Sequence, residues 1–210
     1  KETVGHFVKV CSDLMVAEFI RHGQDADMVF VISGIAVHPD ALWMLKQVNS
    51  KIPMVLLLTE SPYVDDGQRY LAQFCDVIFT TERVSAERYG WHYLRHAFDP
   101  EIHKPGEVDT DIACDVVMIG TGFKDRLRFM NEVNWGGIDL HLLGHWPEID
   151  EAGESYPLYR YYYPTVVPNE FAVEWYRAAS INLNLHRQDT DAESANPRTF
   201  ELAASGAFQF

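Results

Sequence analysis

An arginine and a glutamate stand three apart in Asn196-Pro-Arg-Thr-Phe-Glu-Leu-Ala-Ala-Ser-Gly206. Pro197 suits the first turn of a helix and leaves Asn196 as its N-cap. On such a helix Arg198 and Glu201 share one face. A solvated pair of this kind contributes little to stability. Ala203, Ala204, Ser205 and Gly206 follow at once, however, so the helix is expected to pack closely on a neighbour. A carboxylate held there can accept both hydroxyls of a ribose, and an arginine beside it can hold a phosphate. A nucleotide requires both groups.

A second stretch, Ile119-Gly-Thr-Gly-Phe-Lys-Asp-Arg126, points the same way. It reads as a strand, a glycine-containing turn and a helix with cations near its start. Gly120, Thr121 and Gly122 let backbone approach an anion, and a helix start favours negative charge. Arg126 or Lys124 adds charge-assisted bonds to a diphosphate. The competing reading is an ordinary turn with two surface cations. Asn182, Asn184 and His186 alternate along a third stretch, followed by Arg187. His186 is a candidate to line a ligand site; the asparagines fit equally an edge strand with a wet face. Glu60, in Thr59-Glu-Ser-Pro-Tyr63, follows a predicted strand. It is the candidate general base, against the plainer reading of a loop carboxylate that caps a helix. Ser33-Gly34, after another strand, reads as a turn or as a place near a ligand. Tyr156, Tyr159, Tyr161, Tyr162 and Tyr163 either stack on sugars or pack internally.

These residues need a frame. The first half alternates apolar runs with amphipathic segments. Phe7 to Arg21 is a predicted helix with Phe7, Val10, Leu14, Ala17 and Ile20 on its apolar face. Strands are predicted at 28–32, 54–58, 77–80 and 91–94, and helices at 39–48, 65–74 and 82–89. Residues 99–112 are polar, contain Pro100 and Pro105, and lack periodicity, so they read as a linker. The alternation then restarts, with strands at 115–119, 139–143, 181–185 and from 207. Helices follow at 124–133, 168–179 and 197–205, and 145–163 reads as a long loop. Continuously apolar strands between helices predict parallel sheets covered on both faces. The right-handed crossover rule makes each half Rossmann-like. The expected fold class is therefore α/β, with domains at 1–98 and 113–210.

Bulk properties narrow the function. With 210 residues, 47% hydrophobic and 23% charged, the chain has the composition of a packed globule. A net charge of -14 argues against nucleic acid or an anionic membrane as partner. No apolar run is long enough for a transmembrane helix. Cys11, Cys75 and Cys114 are far apart, and Cys75 and Cys114 read as buried thiols of a reducing, cytoplasmic compartment. The nine histidines include no HExxH or comparable ligand spacing, and no GxSxG appears, so neither a metal nor a serine nucleophile is expected. The chain opens without methionine and stops on an incipient strand, which reads as a truncated C-terminal part.

The run "NLHRQDTDAESANPRTFELAASGAFQF" at 184–210 resembles the donor-binding segment of GT-B glycosyltransferases, and more narrowly the spore-maturation, CgeB-like branch. "LTESPY" at 58–63, "CDVIFTTERVSAERYG" at 75–90, "HAFDPEIHKP" at 96–105, "CDVVMIGTGFKDR" at 114–126 and "LHLLGHW" at 140–146 agree in order. The resemblance implies two Rossmann-like domains facing a cleft, and a nucleotide-diphosphate sugar of the UDP or GDP type held mainly by the second. It implies that Glu201 binds the ribose and that Arg198 and Arg126 serve the diphosphate. Gly120 to Gly122 then lie beside that diphosphate, and no cofactor or metal is needed. The family often carries a further acidic residue upstream of the ribose glutamate; the neighbours of Glu193 depart from that pattern. The implied activity is sugar transfer to an acceptor that the sequence does not identify. The alternatives are a non-catalytic partner-binding protein of the same fold and a sugar-nucleotide epimerase. Oligomeric state is left open.

Overall fold

A computed structural model describes residues 2–23, 25–186, 193 and 195–210. Two compact units emerge, Lys1–Arg95 with Thr190–Ser194, and His96–Asp189 with Ala195–Phe210.

In the first unit, α1 (Glu2–Glu18) runs into a π-helical turn at Phe19–Gly23. There follow β1 (Val29–Ile32), α2 (Pro39–Val48), β2 (Met54–Leu58), α3 (Asp65–Ala72), β3 (Val77–Thr80), α4 (Arg83–Tyr89) and β4 (His92–Tyr93). The strands are parallel and ordered β1-β2-β3-β4. Val31, Met54, Leu56 and Leu58 face one core, which Val16, Leu42, Leu45 and Leu71 complete from the helices.

Two expectations are corrected here. The predicted apolar face of α1 points outward: Phe7 is 68% and Leu14 63% exposed. The helix has a second apolar stripe, and it buries Val16 with Met15 and Phe19. Ser12 on that side is also buried, donating to Val8 O at 2.8 Å and accepting from His38 N at 2.8 Å. Periodicity finds both stripes and cannot choose between them. Sheet coverage also differs. Phe30 and Ile32, on the face of β1 opposite the core, are 48% and 61% exposed. Among the described residues one face of this sheet carries the core and the other is covered only in part.

The second unit contains β5 (Cys114–Thr121), α5 (Lys124–Glu132), β6 (Leu140–His145), α6 (Pro147–Ala152), β7 (Tyr162–Tyr163), α7 (Asn169–Ala178), β8 (Ala179–Asn182) and α8 (Pro197–Ala204). Its parallel strands are ordered β7-β6-β5-β8. Here both faces are covered. Val116 and Met118 pack with Leu127, Met130, Trp146 and Ile149 on one side. Val117 and Ile119 pack with Val173, Tyr176 and Leu202 on the other. The incipient strand expected at 207 does lie beside β8: Asn182 and Gln209 form a parallel bridge, and Asn184 N donates to Phe210 O at 2.8 Å.

The stretch read as a loop at 145–163 contains α6, two short 3-10 turns and β7. Pro147 starts α6, and Gly153 ends it with a positive φ of 57°. These signals lie only six residues apart, too close for hydrophobic periodicity to register. The start of the segment read as a linker packs on this unit. Ile102 joins its apolar cluster, His103 is buried, and Lys104 O accepts from Arg177 Nε and Nη2 at 3.0 and 2.6 Å.

Among the cysteines, Cys114 is buried, Cys75 half-buried and Cys11 exposed. Burial, reinforced by nearby aspartates, pushes the Cys75 and Cys114 thiols up to about 11. Each therefore favours the fold as a neutral thiol, and that contribution is lost as pH rises from 9.0 through about 11. Because the thiolate is the reactive form, a disulfide reagent at pH 8 is expected to titrate Cys11 quickly. Cys75 and Cys114 should react only on unfolding. Three equally fast thiols in the folded protein would contradict the burial.

Candidate functional site

In chain order the second sheet reads third, second, first, fourth strand, with the chain end fifth. The direction of winding reverses between β5 and β8. In open parallel sheets, ligands bind beyond the carboxyl ends of the strands at such a reversal. Six of the eight candidate residues stand there: Gly120 and Thr121 end β5, Arg126 lies in the first turns of α5, His186 follows β8, and Arg198 and Glu201 lie on α8. Gly122 follows directly after β5. Glu60 alone belongs to the first unit.

The two arginines span the reversal in opposite senses. Arg126, from the β5 side, donates Nε and Nη2 to Leu185 O at 3.1 and 3.0 Å, and Nη1 to Thr121 O at 2.9 Å. Arg198, from the β8 side, reaches back to donate Nη1 to Ile119 O. They meet at Gly120, where a Cβ would lie 3.2 Å from Arg198 Nη1 and 3.3 Å from Arg126 Nη1. Both guanidiniums are thus held by backbone carbonyls, with their orientation set before any ligand arrives.

The neighbouring glycines have other reasons. A Cβ on Gly122 would come within 2.4 Å of the Trp146 ring. That ring is wholly buried and anchored by Nε1 to Leu143 O at 3.3 Å. The lack of a side chain at Gly122 therefore makes room for Trp146. The turn's amides are also occupied, Gly122 N by His145 O at 2.8 Å and Phe123 N by Thr121 O at 2.9 Å. The charged groups at this point are the two guanidiniums. The N-cap residue of α5, Phe123, offers no side-chain acceptor.

On the other side, polar side chains fix the start of α8. Asn196 caps the helix, its Oδ1 accepting from Thr199 N at 3.0 Å. Asn196 Nδ2 donates to Asn184 Oδ1 at 2.8 Å, and Asn184 Nδ2 donates to Thr199 Oγ1 at 2.9 Å and Gln209 Oε1 at 3.2 Å. Asn182, buried, donates Nδ2 to Tyr176 O at 3.0 Å and Phe208 O at 3.2 Å. The alternating asparagines are therefore structural ties between β8, α8 and the chain end. His186 lies at their outer edge, Nε2 3.5 Å from Thr199 Oγ1. Desolvation, then the charge of Arg126, lowers its pKa below the ordinary histidine value, so the ring is neutral at pH 7. Arg187 lies outside the described residues.

Arg198 and Glu201 do not form a direct ion pair among the described residues. The hydroxyl of Tyr176, from α7, stands between them. It accepts from Arg198 Nε at 3.2 Å and donates to Glu201 Oε2 at 3.3 Å. Nothing in the chain around Tyr176 marks it from other core aromatics, and the sequence reading missed it.

Glu60 lies half-buried in the turn beyond the carboxyl end of β2, and its carbonyl accepts from Tyr63 N at 3.0 Å. Ser33 has a positive φ of 65°, and its carbonyl accepts from buried Gln68 Nε2 at 2.5 Å. Among the tyrosines, packing accounts for three. Tyr162 donates to Asp150 at 2.8 Å, Tyr161 to Trp135 O at 3.1 Å, and Tyr156 accepts from Asn131 at 2.9 Å, all against the same apolar cluster. Tyr163 stacks on His141, with centroids 4.9 Å apart. Glu193 groups with the first unit, where its carboxylate pairs with Arg83.

Residues 126–210 match the family model described as glycosyl transferase-like. The chain is 28% identical over 205 residues to the spore protein CgeB of Bacillus subtilis strain 168, an alignment covering 87% of this chain and 62% of the relative. The resemblance read from the sequence is borne out by both. Among solved structures, an alpha-glucosyltransferase in complex with UDP and a 13-mer DNA matches with a TM-score of 0.60 and 15% identity. That match covers 92% of this chain and 62% of the other. The likeness establishes the fold, an α/β arrangement of the GT-B type. The chain spans just under two thirds of the length of both proteins.

Proposed function

We propose that this chain transfers a sugar from a nucleoside-diphosphate donor, of the UDP or GDP type, to an acceptor hydroxyl without a metal, in the cytoplasm. The observation that carries the reading is the convergence of Arg126 and Arg198 on Gly120, at the reversal of the second sheet. In this reading the diphosphate lies over Gly120 and Thr121, with Gly122 completing the turn beneath it. The guanidiniums and the start of α5 neutralise the charge that builds on the departing nucleoside diphosphate. Because backbone carbonyls already orient the cations, little reorganisation is required at that moment. Glu201 holds the ribose hydroxyls. Neutral His186 lines the site as a hydrogen-bonding group without adding charge. Glu60, beyond the carboxyl end of a strand in the first unit, is the general base for the acceptor. A net charge of -14 favours an acceptor other than nucleic acid.

Calorimetric titration with UDP and with GDP, in the presence of EDTA, tests the donor site. One nucleotide is expected to bind, and Glu201→Ala to weaken it by about tenfold or more, as loss of hydrogen bonds to a charged group implies. Absence of binding by the wild-type chain to either nucleotide would overturn the reading.

A further inference from the structure

The geometry points to Tyr176 as a positioning residue that sets ribose recognition by Glu201, an inference that rests on the donor-site reading above. Tyr176 is 2% exposed and sits on α7, beneath α8. Its ring packs in the apolar cluster with Val117, Ile119 and Leu202, so the hydroxyl position is fixed by the core. That hydroxyl has one proton, donated to Glu201 Oε2 at 3.3 Å, and it accepts from Arg198 Nε at 3.2 Å. A carboxylate offers about four acceptor sites. One is used by Tyr176, which restrains rotation of the carboxylate and leaves the others for two hydroxyls.

The hydroxyl also separates the two charges. Residues three apart on a helix are neighbours, and an arginine and a glutamate so placed readily pair. Here the Tyr176 oxygen occupies the position between them. Arg198 is directed to Ile119 O and Gly120, and Glu201 is kept from folding onto the guanidinium. Removing the oxygen leaves Arg198 Nε and Glu201 Oε2 with each other as the nearest partners. The carboxylate then turns away from the ribose and the guanidinium away from Gly120. The pair of functions depends on a third side chain that touches no ligand.

The test is selectivity for ribose rather than affinity alone. Titrations with UDP and 2′-deoxy-UDP (or the GDP pair, if the site takes guanine) are run on wild type, Tyr176→Phe and Glu201→Gln. The wild type is expected to prefer the ribonucleotide by about tenfold, and both variants to reduce that ratio to about twofold. In the double variant the losses should not add. A merely structural tyrosine would weaken both nucleotides equally and leave the ratio intact. If Glu201→Gln loses the preference while Tyr176→Phe keeps it, the positioning role is overturned and the donor site stands. If the wild type binds nucleotide without preferring ribose, or binds none, the role of Glu201 fails and this inference with it. Should Tyr176→Phe not fold, Tyr176→3-fluorotyrosine keeps the ring and hydroxyl while changing their hydrogen-bond strength. An unchanged ratio there would likewise overturn the proposal.

Discussion

Arg198→Ala is expected to weaken binding of the nucleoside diphosphate about 100-fold, while the free nucleoside binds as before. Two charge-assisted hydrogen bonds to a diphosphate contribute roughly 3 kcal/mol together, and each 1.4 kcal/mol is a factor of ten. Arg198 is half-buried and already fixed by Ile119 O and Tyr176, so its alignment costs little entropy on binding. Arg198→Lys should recover only part of the loss, because an ammonium cannot hold a carbonyl, a tyrosine oxygen and a phosphate in one planar fork. Titrations of diphosphate and nucleoside against both variants, with thermal melts as a check on folding, decide the matter. Equal losses for nucleoside and diphosphate would mean that Arg198 shapes the site without contacting phosphate.

Gly144→Ala is expected to destabilise the second unit by about 3 kcal/mol or more, through overpacking and backbone strain together. Gly144 lies opposite Gly120 in the β5–β6 register. Its φ is +108°, and a Cβ would fall 2.3 Å from Gly120 O and 3.0 Å from Gly120 C. Those are backbone atoms in one of two hydrogen-bonded central strands and cannot move aside as a side chain would. Any relief displaces Gly120, the point on which both arginines converge, so nucleotide binding should fall with stability. Gly137→Ala supplies the contrast. It has a left-handed φ of +82° but no atom within 4 Å of the new Cβ, so it carries only the conformational cost of about 1–2 kcal/mol. Urea unfolding of the two variants separates collision from conformation. Equal destabilisation would show that the sheet yields at Gly144.

Much of the frame was legible because it depends on local chemistry. The strand cores, the start of α8 at Pro197 with its Asn196 cap, and the turn after β5 all follow from runs, caps and breakers in the chain. The short elements between 147 and 163 were not legible, because six-residue helices and two-residue strands carry too little pattern. The face of α1 was misread for a different reason: two stripes of the helix are apolar, and only the position of the sheet and of His38 decides which is buried. The same holds for the first sheet, whose strands are apolar on both faces although only one of them carries the core.

At the site, residue type was informative and arrangement was not. Arg126, Arg198 and Glu201 announce themselves as charges near helix starts. Gly120 and Gly122 look alike in the sequence, yet one lies between guanidiniums and the other under Trp146. Asn184 resembles a site residue and is a tie to α8. Tyr176 resembles a core residue and separates two charges. The sequence by itself determined which segments become strands and helices, where α8 begins, and which charges stand near the helix starts. The tertiary structure alone decided that Arg126 and Arg198 cross the sheet reversal from opposite sides and that a tyrosine from α7 keeps Arg198 apart from Glu201. Local patterns reflect the forces between neighbours in the chain, whereas these contacts join residues 22 to 79 positions apart, brought together only when the strands take their order.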